Sequence, residues 1–357
     1  MNISIIGAGP VGNYTAFLLA RQGHDVHIFE EHADIGKPIQ CTGLMTMSLR
    51  DVFVPVDDYV TNVTKQIEVI APNGKNVVLN AQEYIVDRTA FDSHLAQQAQ
   101  QAGAVLHLDH RFLGKNGKVL TFKKSKEIVT YATDILVGAD GANSTVAKLL
   151  NPERKRNYCV GIQARVRGTF NSSAYKVYFD NNISPGFFAW VVPESETVAR
   201  VGLKGTSGNF QSFLDKFGYK RIEMQSGPIP VYDLAYVTES DDIYLVGDAA
   251  TQVKATTAGG IIPGLKAAQC LADALKYGDS YTKRWKKKIG RDLWLHLKIR
   301  NILDTLSNDD WNKLIHLIGQ SHVRAVFEKH DRENPWKLMK VVLKEPRLLL
   351  FGRKLIA

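Results

Sequence analysis

The chain has 357 residues, of which 45% are apolar and 23% charged, and it carries a formal net charge of +9. That balance excludes a disordered or fibrous chain, and the length suits two domains or one large domain with an insertion. No apolar run approaches the ~18 residues of a spanning helix, and Cys41, Cys159 and Cys270 are scattered without metal-ligand spacing. These features predict reduced thiols in the cytosol, no metal site and no disulfide framework. The first motif starts so close to Met1 that no cleaved signal peptide is expected. The positive charge is concentrated: from Tyr281 onward there are 18 Lys/Arg against 8 Asp/Glu.

Ile3-Ser4-Ile5-Ile6 reads as a buried strand, followed at once by Gly7-Ala8-Gly9-Pro10-Val11-Gly12 and a helix over Val11 to Gln22. Asp25 to Phe29 forms a second strand that ends on Glu30. Strand, glycine turn, helix, strand and acid is the layout of a dinucleotide-binding unit. Gly7 permits the tight turn, Gly9 lets backbone approach a pyrophosphate, and Gly12 lets the helix pack on the sheet. The helix N-terminus offers N–H groups and partial positive charge to phosphate. Glu30 stands where a carboxylate binds ribose hydroxyls.

Beyond a loop, Gln40-Cys41-Thr42-Gly43 falls on the ligand side of such a sheet, with Cys41 either a buried small residue or a functional thiol. Ile67 to Ile70 and Val77 to Leu79 flank Pro72-Asn73-Gly74 as an antiparallel hairpin. Arg88 returns to the first domain, and a helix runs from Ala90 to Gly103. After Val105 to Leu108 and a second hairpin over Lys118 to Tyr131, a strand ends at Gly138-Ala139-Asp140-Gly141, with Asn143 or Ser144 capping a short helix. Residues 158 to 238 hold strand-like runs and one helix, Phe210 to Phe217, which predicts an antiparallel second domain. Ile243 to Val246 is another buried strand and ends in Gly247-Asp248. Gly259-Gly260 then opens a helix over Leu265 to Leu275. Asp248 can hold sugar or ribityl hydroxyls and the helix start a phosphate or a flavin ring. With no second glycine fingerprint, one long dinucleotide gripped from both ends of the chain is expected.

With these motifs assembled, the chain resembles the geranylgeranyl reductase family, FAD enzymes of the group that also contains aromatic hydroxylases. The resemblance runs from Met1 to about Leu306. Gly7, Gly9, Gly12 and Glu30 match its ADP-binding fingerprint, Arg88 and Asp92 its arginine-helix segment, Asp140-Gly141 its internal motif, and Gly247-Asp248 its flavin-ribose motif. Cys41 with Gly43 looks like its active-site cysteine segment. Phe188, Trp190 and Pro193 match its substrate-pocket motif, with Val192 in place of a second aromatic. The basic residue usual after the Asp-Gly motif is absent, Ala147 standing near that place and Lys148 beside it.

The resemblance implies an α/β fold: a Rossmann-like FAD-binding domain with an inserted antiparallel β-sheet substrate domain and a C-terminal helical region. The boundaries expected are 1–60, 86–150 and 240–280 for FAD binding, 61–85 and 151–239 for substrate, and 281–357 for the basic helices. It implies a monomeric reductase that hydrogenates carbon–carbon double bonds of geranylgeranyl chains in archaeal-type glycerophospholipid synthesis, with FAD as cofactor and an electron donor the sequence does not name. Cys41 is the catalytic candidate. Gly7, Gly9, Gly12, Glu30, Arg88, Asp140, Gly247, Asp248, Gly259 and Gly260 are the cofactor contacts, and Phe188, Trp190 and Pro193 wall the lipid slot. Basic residues, tryptophans and the apolar run Leu348 to Phe351 beside Arg353 and Lys354 suggest either a face for an anionic membrane surface or a solvated helical cap. A flavin monooxygenase shares every cofactor motif and is the alternative; a nucleic-acid binder is disfavoured by the absence of any such module.

Overall fold

The computed structural model describes residues 1–352, so Arg353 and Lys354 lie outside the described residues. In chain order, β1 (Asn2–Ile6), α1 (Pro10–Arg21) and β2 (Asp25–Phe29) precede β3 (Leu44–Thr46), β4 (Val60–Ile70) and β5 (Asn76–Val86). Then come α2 (Arg88–Gln101), β6 (Val105–His107), β7 (His110–Asn116), β8 (Val119–Lys124), β9 (Glu127–Ala132), β10 (Ile135–Gly138) and α3 (Thr145–Leu150). Next are β11 (Tyr158–Arg167), β12 (Ala174–Tyr178), β13 (Ala189–Pro193), β14 (Val198–Lys204), α4 (Ser207–Phe217), β15 (Lys220–Pro230) and β16 (Ile243–Leu245). The remainder is helical: α5 (Ile261–Tyr277), α6 (Tyr281–Trp285), α7 (Arg291–Leu303), α8 (Asn308–Ile318), α9 (Ser321–Lys329), α10 (Pro335–Leu338), α11 (Lys340–Lys344) and α12 (Leu349–Gly352).

Contacts divide the chain into two units, one of residues Met1–Ile39, Arg88–Tyr158 and Pro228–Trp294, the other of Gln40–Asp87, Cys159–Gly227 and Leu295 onward. In the first, β16-β10-β1-β2-β6 form a five-stranded sheet in which every pairing is parallel. A parallel sheet is stable only with both faces covered. Helix α1 packs on α2 and α5, while the sheet β7-β8-β9 and α3 close a core of Phe29, Leu136 and Leu245 against Phe112, Leu120, Phe122 and Val146. Strand order reverses between β1 and β10, and the carboxyl ends of strands at such a switch point are where ligands bind.

At the β6 edge of that sheet, His107 stacks on Phe29 with ring centroids 4.6 Å apart, and its Nε2 lies 2.9 Å from His27 Nδ1. Burial, then the nearby His27 and His110 rings and Lys124, bring His107 down to about 4 from an ordinary 6.5. Because the folded value lies below the unfolded one, the stabilisation from keeping this ring neutral is complete above about pH 6.5 and is lost as pH falls toward 4. For a partly exposed ring this amounts to about 1 kcal/mol between pH 7 and 5. Urea unfolding of His107→Asn should therefore show a smaller loss of stability between those two pH values than the parent. Equal losses would remove the cluster from the pH response.

The second unit is built on an eight-stranded sheet, β15-β11-β14-β13-β12-β4-β5-β3. Its strands alternate sides with a period of two. One face carries Ile162, Ala164, Val166, Ala189, Val191, Ala199, Val201 and Leu203, covered by Phe210, Phe213 and Leu214 of α4. The cross-strand rows Gln163–Gly202–Trp190 and Arg165–Arg200–Val192 belong to the opposite face. Thr206 caps α4 through a capping box with Asn209, and Gly218 ends it in the left-handed conformation.

These boundaries differ most from the expected ones in three places. The division near residue 60 falls at Ile39, because Leu44 to Thr46 pair with β5 of the large sheet. Residues 228–239 group with the parallel-sheet unit, where Asn151 Nδ2 donates to the Val237 carbonyl and Arg154 pairs with Asp233. The basic C-terminal region forms no third unit. Tyr281 and Trp285 are buried in the first unit, the Tyr281 hydroxyl donating to the Leu245 carbonyl at 2.8 Å. From Leu295 the chain groups with the large sheet, where α8 and α9 pack on β5.

Candidate functional site

The first candidate surface forms at the carboxyl ends of β1, β2, β10 and β16. Gly7 has φ +100°, and a side chain there would meet the Ala139 carbonyl oxygen at 2.5 Å, so the turn after β1 runs directly beside the end of β10. A Cβ on Gly12 would lie 2.0 Å from the Gly7 carbonyl oxygen, which fixes the helix close against the turn. Gly9 is different: a Cβ there meets nothing within 4 Å. The space beside Gly9, at the N-cap of α1 with Pro10 in the first turn, is a cradle a side chain would fill, and it fits a pyrophosphate. Glu30 accepts the Ala8 N–H at 2.8 Å through one oxygen and the His32 N–H through the other. Arg88 is held by a two-pronged ion pair with Asp92 at 3.0 and 2.8 Å.

Asp140 accepts hydrogen bonds from the Ser144 hydroxyl at 2.5 Å and the Thr145 N–H at 2.6 Å, so it tethers the start of α3 rather than pointing free. Ser144 is the cap of that helix. Burial pushes the Asp140 carboxyl up, and those hydrogen bonds oppose the shift. Asp248 follows β16, and a Cβ on Gly260 would lie 2.4 Å from its Oδ1, so the carboxylate rests on the N-cap of α5. Burial also raises Asp248, with the positive charges of Arg88 and Arg156 pulling it back. Gly259 packs against the Lys254 side chain, and the Lys254 N–H donates to its carbonyl at 3.2 Å.

Arg156 is a residue that sequence reasoning missed. Its Nη1 donates to the Ala142 carbonyl at 2.6 Å, Nη2 donates to the Ala249 carbonyl, and Nε donates to the Tyr236 hydroxyl at 2.7 Å. The guanidinium also stacks 4.7 Å from the Tyr236 ring centroid. One side chain thus ties the Asp140 segment to the Asp248 segment. It lies outside both motifs, and no local pattern marks it.

The second surface belongs to the large-sheet unit. Thr42 donates to Gln163 Oε1 at 2.9 Å, and Arg200 Nη1 donates to the carbonyls of Cys41 and Thr42 at 3.0 and 2.9 Å. Gln163 and Arg200 both stand on the face opposite α4, so the Cys41 loop lies on that face. Trp190 shares it: its indole covers Gly202, where a Cβ would approach Cζ2 to 2.5 Å. Trp190 also packs against the buried cluster of Ile85, Tyr175 and Val192, as do Leu44, Ile67 and Val177. Phe188 precedes β13 and meets Trp190 edge-on, with centroids 6.2 Å apart. The structure therefore places the Cys41 loop on the sheet face that carries Trp190, which Phe188 meets. It does not place Pro193 there, since Pro193 pairs with Ala199 of the α4-covered face and its carbonyl accepts from Asn62 at 2.9 Å. Adjacent strand residues face opposite ways, so Trp190 and Pro193, three apart, cannot line one wall.

Residues 5–41 match the model of an NAD(P)-binding Rossmann-like domain. The chain is 29% identical to a digeranylgeranylglycerophospholipid reductase of Methanothrix thermoacetophila, across 96% of this chain and 99% of that one. It is 26% identical to a protein of the same name from Methanocaldococcus jannaschii, across 99% and 98%. The chain is thus similar over its full length to proteins named digeranylgeranylglycerophospholipid reductase. Its fold matches a geranylgeranyl bacteriochlorophyll reductase-like protein of Thermoplasma acidophilum with a TM-score of 0.84 at 23% identity, covering 99% and 98% of the two chains. A flavin-dependent brominase shares the fold at a TM-score of 0.72 and 15% identity, covering 99% of each. The shared fold therefore extends through the C-terminal helices, beyond Leu306, where the sequence motifs stop.

Proposed function

We propose that the protein is an FAD-dependent reductase that saturates carbon–carbon double bonds of geranylgeranyl chains carried by a glycerophospholipid. The observation that carries this reading is the Cys41 loop docked on the sheet face that carries Trp190, which Phe188 meets, in a chain similar over its full length to digeranylgeranylglycerophospholipid reductases. The open space at Gly9 and the carboxylate of Asp248 on the Gly260 N-cap fit a long dinucleotide. Gly7, Gly9, Gly12, Glu30, Asp248 and the N-terminus of α5 are assigned to hold FAD, with Arg88, Asp140, Gly247 and Gly259 keeping those segments in place. When bound and reduced, FAD supplies the hydride for one alkene carbon. Cys41 Sγ is assigned to the alkene, orienting it or moving a proton to its second carbon. Phe188 and Trp190 are assigned to the polyprenyl tail, which they orient and keep from water.

Incubating dithionite-reduced enzyme with an unsaturated polyprenyl glycerophospholipid and following product mass tests the reaction. A gain of two hydrogens per reduced bond is expected; a gain of oxygen would convert the reading to a monooxygenase. Arg156→Met is expected to weaken FAD binding about tenfold or more in a fluorescence titration, because two cofactor segments lose their shared tie. Unaltered affinity would limit Arg156 to packing on Tyr236.

We also place the protein at an anionic membrane surface. No helix among the described residues is long and apolar enough to cross a membrane. Leu343 is 84% exposed, and Leu349 and Leu350 are 58% and 56% exposed, beside Lys337, Lys340 and Lys344. Exposed leucines next to lysines suit shallow insertion with attraction to anionic lipid. Of the tryptophans in this region, Trp285 and Trp311 are core residues, whereas Trp336 is exposed. Truncation at Tyr281 would remove core, so the informative variant is Leu343→Glu/Leu349→Glu/Leu350→Glu. It should lose sedimentation with anionic vesicles at an unchanged melting temperature; retained sedimentation rules this patch out.

A further inference from the structure

We infer that Arg200 is the positioning residue for Cys41. The inference rests on the assignment of Cys41 to the alkene, and its geometry stands within one unit. Arg200 is 3% exposed, and its charge is met by Glu194 Oε1, 2.6 Å from Nε. Glu194 is itself 7% exposed and uses its other oxygen to accept from Arg165 Nε at 2.7 Å. The ion pair leaves Nη1 aimed away from Glu194, and it donates to two successive carbonyls, those of Cys41 and Thr42. The two peptide planes so held flank the Thr42 Cα, and the first of them begins at the Cys41 Cα, so the backbone is fixed from the Cys41 Cα onward.

The neighbouring residues tighten the same hold. Gly43 has φ +72°, and a Cβ there would lie 2.4 Å from the Val86 carbonyl oxygen and 2.9 Å from Arg200 Nη1. The loop therefore sits closer to the guanidinium than any other residue type at that position allows. Thr42 is engaged by Gln163, whose Nε2 donates to Gln225 Oε1 at 2.6 Å. Cys41 Sγ, by contrast, accepts only the Gly43 N–H among the described residues, at 3.3 Å, and the residue stays partly exposed. The backbone of the loop is clamped while its thiol is left to act. A lysine cannot replace this arrangement, because a single ammonium lacks the planar fork that serves Glu194 and two carbonyls together.

The test is a cycle of parent, Arg200→Lys, Cys41→Ala and the double variant, all full-length and loaded with FAD. In the first arm, iodoacetamide labelling of Cys41 is followed by mass spectrometry, with Cys159 and Cys270 as internal references. Arg200→Lys is expected to change the Cys41 labelling rate at least fivefold and the reference thiols less than twofold. In the second arm, it is expected to lower kcat for lipid reduction at least tenfold in the parent background and less than twofold in the Cys41→Ala background. An unchanged Cys41 labelling rate, or a tenfold loss that persists without the thiol, overturns the inference. Labelling needs no turnover, so a protein without lipid reductase activity would sink the proposed reaction and leave the positional result readable. If Arg200→Lys does not fold, Glu194→Gln loosens the same guanidinium and should shift Cys41 labelling in the same direction by a smaller factor.

Discussion

Gly12→Ala is expected to yield a destabilised, colourless protein, whereas Gly9→Ala should fold normally and still lose FAD. The two glycines sit three residues apart in one turn, yet they serve opposite needs. A Cβ on Gly12 would stand 2.0 Å from the Gly7 carbonyl oxygen. Backbone cannot yield there without moving α1 off the end of β1, at a cost of about 3 kcal/mol or more for the overpacking. A Cβ on Gly9 meets nothing within 4 Å, so the apo fold does not register it. The methyl would instead occupy the space that lets the pyrophosphate approach backbone, and affinity should fall on the order of a hundredfold. Melting temperature and FAD titration of both variants separate the effects. If Gly9→Ala binds FAD as tightly as the parent, the cradle beside Gly9 is not the phosphate site.

Arg332→Met should produce the largest loss of stability among single changes in the large-sheet unit. Arg332 Nη1 donates to Glu83 and, at 2.8 Å, to the Tyr175 hydroxyl. Glu83 is 3% exposed on β5, and burial together with that carboxylate raises the Tyr175 phenol. Removing the guanidinium takes a buried charge-assisted hydrogen bond from Glu83 and a hydrogen bond from the Tyr175 hydroxyl, which costs about 2–4 kcal/mol when one partner is still partly exposed. The same segment is docked by Thr46 donating to Glu333 at 3.3 Å and the Ser48 N–H donating to Asp331 at 3.3 Å. Loss of Arg332 should therefore free the helices that follow it, and trypsin should cut between Lys329 and Lys344 at least tenfold faster. The double variant Glu83→Met/Arg332→Met should recover part of the loss, because both charges of the pair are then replaced by apolar side chains. Parent-like proteolysis of Arg332→Met would show that the ion pair holds nothing in place.

The amino-acid sequence by itself determined the parallel-sheet unit and its glycine turns, the hairpin of β4 and β5, and the candidates Cys41, Trp190 and Asp248. Those features are legible because backbone geometry dictates residue type at fixed local spacing: a turn that brings carbonyl oxygen within van der Waals contact admits only glycine, and a strand buried on both faces admits only an apolar run. What the tertiary structure decided was of another kind. Arg200 lies 158 and 159 residues from the carbonyls it clamps, and Arg156 is 93 residues from Ala249. Each is an arginine like many others until the fold supplies its acceptors. Pro193 looked equivalent to Trp190 along the chain and was separated from it by strand alternation. The basic C-terminal stretch read as one amphipathic region, but Tyr281, Trp285 and Trp311 went to core, because helical periodicity says that a face is buried without saying against what.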